Sequence, residues 1–590
     1  MIVKMSKITL LVSQKRISEA LVALRKLGLI HVQHMQKPTA HHITDIEHKL
    51  ATVERVLSIV SEYDGKEKEI RKNDIPSCLK EIVSLNNQRQ TFKGRKLELE
   101  KRLVWFDTWG NVSGSSLAEL KSKGVHIRLY ICDRKVFKKL SEDRLIYIIR
   151  DYGSRVCIAH VSTLGEQVLD LPEVAVPSEN LHSLQKKIGS AKRDLEITER
   201  KLAELALYKK SFFGHKKELK KGLEFCKVKF GMNAEAGVSM LEGFCPKESL
   251  PEIEKAAKEQ GWAFVTQEPD GADKVPTLIR YPAWVKVIKP LFNLMGTLPG
   301  YKEYDISPWF LLFFSLFFAM LIGDAGYGCV FLIATFFARK KMPKAPALPF
   351  FLMYTLSGAT IAWGAITGNW FGIERVAQLP FLGSLVVDNL NAFADTNQAF
   401  SMQLCFILAA SQLSLAHSLV AIRHSNSLKS LAQVGWICII WGIYNLVSTL
   451  VFNKPFPVFA KYLLVSGMGI VILFSNFQKN ILKGLAIGIA NLPLKFINSF
   501  ADTLSYLRLF AIGYVSVMMA ASFNEMALSV GFNGILRTMI SVLILLGGHA
   551  LNIALGLMSV LVHGLRLNML EFSGHLDMEW SGVEYKPFKE

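Results

Sequence analysis

Residues 499–520, SFADTLSYLRLFAIGYVSVMMA, are apolar enough to cross a bilayer yet carry a permanent cation, Arg508, near their middle. A charge at membrane depth costs several kcal/mol, roughly 3 on insertion scales, and therefore faces a partner or a water-filled cavity. Snorkelling does not relieve it. Roughly 15 residues, or about 22 Å of helix, separate Arg508 from the span's entry near Leu492, beyond the reach of one side chain. Asn498, Asp502, Ser505 and Arg508 recur at spacings 4-3-3, which places them along one side of a helix. In the last apolar stretch His549, Asn552, Gly556, Ser559, His563 and Arg566 recur at 3-4-3-4-3. Two helices that each carry a polar stripe and an arginine suit the movement of small ions along hydrated paths, not the making of bonds. The static alternative has Asp502 or Glu571 neutralising an arginine while the stripes glue helix to helix. Against it, Asp502 lies about 120° around the helix from Arg508, and Glu571 lies toward the end of its span. The sequence thus shows no in-chain partner opposite Arg508, and a carboxylate on another subunit is expected there. His563 could relay protons or simply hydrogen-bond, and the structural role is preferred.

These residues need spanning helices to hold them. The chain has 590 residues and a formal charge of +19, with a mean hydropathy of +0.26, a combination that requires basic and apolar stretches to be segregated. Charged residues are dense up to about Trp284, and apolar stretches of spanning length begin at Pro308. Pro308 to Ala338 is long for one span and short for two. The basic run RKKMPK after it belongs in the cytoplasm, so the chain must turn back, and GDAGYG (Gly323, Asp324 and Gly326 among its residues) is the natural turn. Two short helices, about 308–322 and 326–339, are followed by spans near 347–371, 399–422, 430–452, 458–475, 491–526 and 535–571. That makes about eight, the last two long and tilted, with the N-terminal domain and the C-terminus both cytoplasmic. The loops RHSNSLK and QKNILK then fall inside, and the segment with Glu374, Asp388 and Asp395 outside.

The soluble part, 1–285, reads as an α+β dumbbell ahead of a transmembrane domain, 286–590. IVKMSKITLLVS, RISEALVALRKLGLI and HVQHM give strand, helix and strand. Ile43, Ile46, Leu50, Val53, Leu57 and Val60 form a heptad seam, and Leu184, Ile188, Ala191, Leu195, Thr198, Leu202 and Leu205 form a second. Two seams flanking a compact insert predict an antiparallel hairpin, its coiled coil at about 41–108 and 178–228. The hairpin joins a proximal lobe (about 1–40 and 230–285) to a distal lobe (about 109–177). No phosphate-binding loop or nucleophile motif occurs, and the eight cysteines are scattered without a Cys-x-x-Cys pair. His31, His34, His41 and His42 lack ligand partners at metal spacing and are expected at the surface. No catalytic residue, cofactor or metal is expected, and basic residues interleaved with acids argue against nucleic acid and for the anionic leaflet of a lipid bilayer.

The whole chain resembles the membrane stator subunit of V-type and archaeal-type rotary ATPases, called subunit a or subunit I. LPGYKEYDISP leading into LIGDAGYG, SFADTLSYLRLFAIG, LVHGLRLNMLEF and the later EYKPF carry the likeness. The resemblance implies a dumbbell anchored to peripheral stalk subunits of E/G type, with the central-rotor subunit d/C nearby. It also implies two offset half-channels beside a proteolipid ring of subunit c/K, in a prokaryotic plasma membrane. On matching positions Arg508 would face the ring carboxylate and Arg566 would be the second arginine, with ATP chemistry on other subunits. A fixed cation there favours the ionised ring carboxylate and blocks leakage between half-channels. Gly556 stands where eukaryotic relatives have a glutamate, which leaves His549, Asn552, Ser559 and His563 as the polar groups of the half-channels. The transported ion is expected to be H+, alternatively Na+. The competing function is a self-sufficient secondary transporter with a cytoplasmic coiled-coil regulatory domain, which would show internal repeats; none is seen between the two halves of the membrane domain.

Overall fold

The computed structural model describes residues 1–589 apart from 66–67, 113, 139, 141–144, 164–168, 178, 236, 272 and 476–480. Half of the QKNILK loop, 478–480, lies outside the described residues.

Strand β1 (Met5–Ser13) buries Ile8, Leu10 and Val12 on one face, the period of a strand covered on one side. Helix α1 (Ile17–Leu27) supplies the cover with Ala20, Leu21 and Leu24 and ends on Gly28 at φ 63°, a left-handed cap that glycine adopts freely. After β2 (His31–Gln33) the long helices α2 (His41–Val60) and α3 (Ile75–Trp109) lead away. They reach a three-stranded antiparallel sheet of β3 (His126–Asp133), β4 (Ile146–Asp151) and β5 (Arg155–Ser162), in the order β3-β5-β4. Helices α4 (Leu181–Ala206) and α5 (Lys209–Phe230) return. Then β6 (Asn233–Glu235), β7 (Val238–Pro246), α6 (Leu250–Gln260) and β8 (Ala263–Gln267) complete the first sheet, ordered β2-β7-β1-β8 with β6 on β7.

The two heptad seams meet only in part, where Val53, Leu57 and Val60 share a buried cluster with Leu202. Helix α2 packs on α5, and α4 packs on α3. Breaks near 61–74 and 207–208 divide the strut into two tiers, so each seam finds its own partner. Those partners hide their contact residues among charges: Leu79, Ile82, Leu85, Leu99 and Phe106 on α3, and Phe212 and Val228 on α5.

In the second half, α7 (Ser307–Ile322) is buried along most of its length and ends on Gly323 at φ 66°. Asp324 caps α8 (Ala325–Lys341), accepting from Tyr327 N, and the two helices meet at a bend of 117°. Arg339, Lys340 and Lys341 close α8, where cations suit the negative end of the helix dipole. Then follow α9 (Ala347–Thr367), α10 (Gln398–Arg423), α11 (Lys429–Phe452) and the shorter α12 (Val458–Phe474). The span expected at 491–526 is two helices, α13 (Ile481–Ser505) and α14 (Leu507–Val530), broken at Tyr506. Helix α15 (Ile535–Ser559) continues through π-helical turns at Val560–Gly564 and Leu567–Phe572. Among the described residues five helical stretches are long and apolar enough to cross a membrane: 347–367, 398–423, 429–452, 485–530 and 535–572.

The chain's end returns to its beginning. Strand β9 (Pro276–Thr277) pairs in parallel with β10 (Val583–Glu584), Phe588 N donates to Ile30 O at 2.8 Å, and Phe588, 6% exposed, lies in the core of the first sheet. His31 is therefore no free surface residue. Its Nδ1 accepts from Lys586 N at 3.0 Å and its ring stacks on Tyr585. Burial lowers the His31 pKa from its ordinary value. Because the folded pKa lies below the unfolded one, this contribution is complete above about pH 6.5 and is lost as the pH falls.

Two expectations follow. Phe588→Ala should cost about 3 kcal/mol, read as lost hydrogen-exchange protection in β1 and β7. Proteolysis of the tail at 583–589 should accelerate between pH 7.5 and 5.5 in the wild type, and His31→Phe should remove that acceleration.

Candidate functional site

Arg508 has an in-chain partner. Its Nη2 lies 3.0 Å from Glu571 Oε1, and Arg566 Nε lies 3.3 Å from the same oxygen. This corrects the expectation of an unpartnered arginine: Glu571 reaches Arg508 from the last helix, and the π-helix brings Arg566 to the same carboxylate. On a 3.6-residue helix Arg566 and Glu571, five apart, diverge by about 140°. The i→i+5 bonding of a π-turn stacks residues five apart, and Leu567–Phe572 is such a turn. The Glu571 side chain is 2% exposed, against 28% for Arg508 and 49% for Arg566. Arg508 Nε also donates to Ser505 O at 3.0 Å, so Ser505 serves through its carbonyl. Beneath this trio a buried ladder fixes the helices: Tyr506 OH donates to Gln412 Oε1 at 2.7 Å, and Gln412 Nε2 donates to Asn568 Oδ1 at 3.0 Å.

On the side of the membrane helices that faces the first sheet, Asp502 and Asn498 line a cavity of about 270 Å³ with Lys495, Ser499, His417, Gln433, Trp436, His575 and Asp577. Asp502 Oδ2 lies 3.1 Å from His575 Nε2, and His575 Nδ1 lies 3.0 Å from His417 Nε2.

A second network joins α8, α14 and α15. His549 Nδ1 lies 2.7 Å from Tyr327 OH, and His549 Nε2 lies 3.1 Å from Asn524 Oδ1. Asn552 donates to Tyr327 OH at 3.1 Å and to Ser516 O at 2.8 Å, while Ser516 Oγ donates to Asn552 Oδ1 at 3.1 Å. The glycine-rich elbow positions Tyr327. Asp324, 1% exposed, accepts from Tyr327 N at 3.2 Å and Phe371 N at 3.0 Å, and a Cβ on Gly326 would lie 2.4 Å from the Phe371 ring. Gly323 turns the chain at φ 66°, and its carbonyl accepts from Asn369 Nδ2 at 2.8 Å.

The stripe on the last helix therefore splits. His549 and Asn552 join the Tyr327 network, and Gly556 packs on Ile322. Ser559 and His563, both half-buried, lie at the first π-turn, where His563 Nδ1 is buried without a hydrogen-bond partner. Sequence periodicity missed Tyr327, Ser516, Asn524, His417, His575, Gln433, Gln412, Tyr506 and Asn568. Tyr327 sat inside the noted glycine motif, and His417 and Gln412 were polar residues within a predicted span; both were available signals. Ser516, Asn524, Tyr506 and Asn568 lie on the two striped spans but off the periodic stripe, Gln433 lies singly on its helix, and His575 follows the last span.

No family model matches the chain. It is 33% identical over 614 aligned residues to "V-type ATP synthase subunit I" of Borreliella burgdorferi, covering 100% of both chains. It is 28% identical over 636 aligned residues to "V-type ATP synthase subunit I 1" of Treponema pallidum, again covering 100% of both. Against "A-type ATP synthase subunit I" of Methanocaldococcus jannaschii it is 28% identical over 372 residues, 57% of this chain and 52% of that one. A solved structure described as the cytoplasmic N-terminal domain of subunit I covers 44% of the chain at 14% identity with a TM-score of 0.23, too weak a superposition to argue from. With full-length identity of this order beside a membrane-spanning helical half, the chain belongs to the V-type/A-type ATP synthase subunit I family, the membrane subunit of a rotary ATPase.

Proposed function

We propose that this chain is the ion-conducting stator of its rotary ATPase, with Arg508 separating two half-channels beside a ring of proteolipid subunits. The observation that carries this is the charge count at Arg508. Two guanidiniums share one carboxylate, so the trio holds a net charge of +1. A single cation in a poorly hydrated setting stabilises one further carboxylate, and a ring subunit would bring one such group at a time. Polar networks on either side support the half-channels: the Asp502 cavity toward the first sheet, and the Tyr327–His549–Asn552 network deeper along α14 and α15.

In this proposal the membrane domain, 286–590, has eight spans, counting α7 and α8 as two. The soluble domain, 1–285, is a dumbbell on the cytoplasmic side that anchors E/G-type stalks near the d/C-type rotor subunit. The membrane is a prokaryotic plasma membrane, and the transported ion is H+ or Na+. ATP is made or hydrolysed on other subunits.

Arg508→Ala should abolish ATP-driven ion transport by the purified complex in proteoliposomes while the complex stays assembled; coupled transport in that variant would overturn the proposal. Glu571→Gln should act differently. It leaves both arginines to the ring carboxylate, and about 1.4 kcal/mol of added attraction slows its departure roughly tenfold. ATP hydrolysis and ion transport should then fall together and remain coupled.

A further inference from the structure

The cavity on the face toward the first sheet contains a continuous line of four side chains from four separate elements. Gln433 Oε1 of α11 lies 2.6 Å from His417 Nδ1 of α10. His417 Nε2 lies 3.0 Å from His575 Nδ1, just past the second π-turn, and His575 Nε2 lies 3.1 Å from Asp502 Oδ2 of α13. His417 is 6% exposed, and its ring lies flat against Trp436, with centroids 5.9 Å apart and planes inclined by 12°. That stacking holds the imidazole in line between passages.

Counting hydrogens shows what such a line can do. Each contact needs one proton, and a neutral imidazole has one donor and one acceptor nitrogen. With the Gln433 carbonyl toward His417, His417 Nδ1 must donate, and its bare Nε2 accepts from His575 Nδ1–H. The last contact then needs a further proton, on His575 Nε2 or on Asp502. If the Gln433 amide turns over, its NH2 donates to His417 Nδ1. His417 Nε2–H then donates to His575, and His575 Nε2–H donates to the Asp502 carboxylate. Every contact is satisfied in both states. The first holds three protons and the second two.

We propose that Gln433, His417, His575 and Asp502 form a proton wire through the half of the membrane domain nearest the first sheet, loaded and unloaded by reversal of the Gln433 amide. In one passage His417 Nδ1 takes a proton from water in the cavity as the Gln433 amide reverses to present its carbonyl, the His417 Nε2–H bond breaks as His575 Nδ1–H forms, the His575 Nε2–H bond breaks as an Asp502 O–H forms, and Asp502 releases its proton to water; turning over of the two imidazoles and of the amide then restores the two-proton line, and nothing is oxidised or reduced. The wire suits H+ and not Na+, because a hard cation seeks several oxygen ligands and the two central residues offer nitrogen. The other charged groups facing the line are Lys495, from the same helix as Asp502, and Asp577, beside His575. Glu571 is near enough to act on Asp502 electrostatically, and its backbone carbonyl accepts from His575 N at 3.4 Å. Among the described lining residues, α10 and α11 contribute no other titratable side chain.

This inference rests on the stator function proposed above, and one experiment separates the two. ATP-driven proton uptake is measured across pH 5.5–8.5 with the whole complex in proteoliposomes, with Arg508→Ala as a parallel control. His417→Leu and His575→Leu should each lower the rate at least tenfold. Gln433→Glu, which as a carboxylate can only accept from His417, should favour the loaded state and move the pH optimum upward by about half a unit. If the leucine variants do not assemble, His575→Gln and Gln433→Glu carry the test. Replacing all Na+ by choline should leave wild-type uptake unchanged. The wire is overturned if His575→Gln and Gln433→Glu keep the wild-type rate and pH profile while Arg508→Ala is dead, or if wild-type transport requires Na+. Uptake that persists in Arg508→Ala overturns the stator function itself.

Discussion

The membrane half is organised around one buried carboxylate that two arginines must share. Leaving Glu571 buried and unpaired would cost several kcal/mol, so the surrounding helices are constrained to deliver both guanidiniums to it. One comes from α14, 63 residues away in sequence, and the other lies a π-turn earlier on the same helix. Both helices approach closely because α7 offers a surface they can reach. A Cβ on Gly513 would lie 2.5 Å from Met320 O, one on Gly556 would lie 2.9 Å from Ile322, and one on Gly564 would lie 3.3 Å from Leu321. Small residues at the helix contacts are what allow backbones within a membrane to come this near. Phe313 and Phe572, 6.3 Å apart, then close the packing at the end of the second π-turn.

How much of this was legible depends on whether the geometry was regular. The stripes at 498–508 and 549–566 follow a 3.6-residue period and contain the two arginines that the structure brings to Glu571. The same period concealed Glu571, because residues five apart look unrelated until the helix widens. The expectation of a missing counterion was an error of depth: Glu571 was set aside for lying toward the end of its span, and it reaches Arg508 from there. The elbow at Gly323 and Asp324 was visible as a turn. Its second duty, presenting Tyr327 to His549 and Asn552 on a helix more than 200 residues away, follows from tertiary packing that no local pattern encodes.

The N-terminal half shows the same division. Strands β1 and β7 and the helices between them carry clear two-residue or helical patterns. Heptad spacing located two seams and paired them wrongly, because a heptad states that a partner exists and not which one it is. The partners α3 and α5 expose so many lysines and glutamates that their apolar contacts are diluted. His31 was assigned to the surface for a related reason: its partner, Lys586, lies 555 residues later in the chain.

That long-range contact links the two halves. The last helix carries Arg566 and Glu571, passes His575, and runs within a few residues into a strand paired with β9 and a phenylalanine seated in the first sheet's core. Leu298 bridges Ser581, and Glu303 accepts from Glu579 N at 2.9 Å, so the segment is also pinned to the entrance of α7. A load that shifts the first sheet against the membrane helices must therefore pull on the segment holding His575 and, one turn earlier, Glu571. A displacement of about 1 Å at a charge pair is energetically costly where water is scarce. Anchoring the tail on both the sheet and the base of α7 spreads such a load over two attachments, which keeps the carboxylate between its arginines.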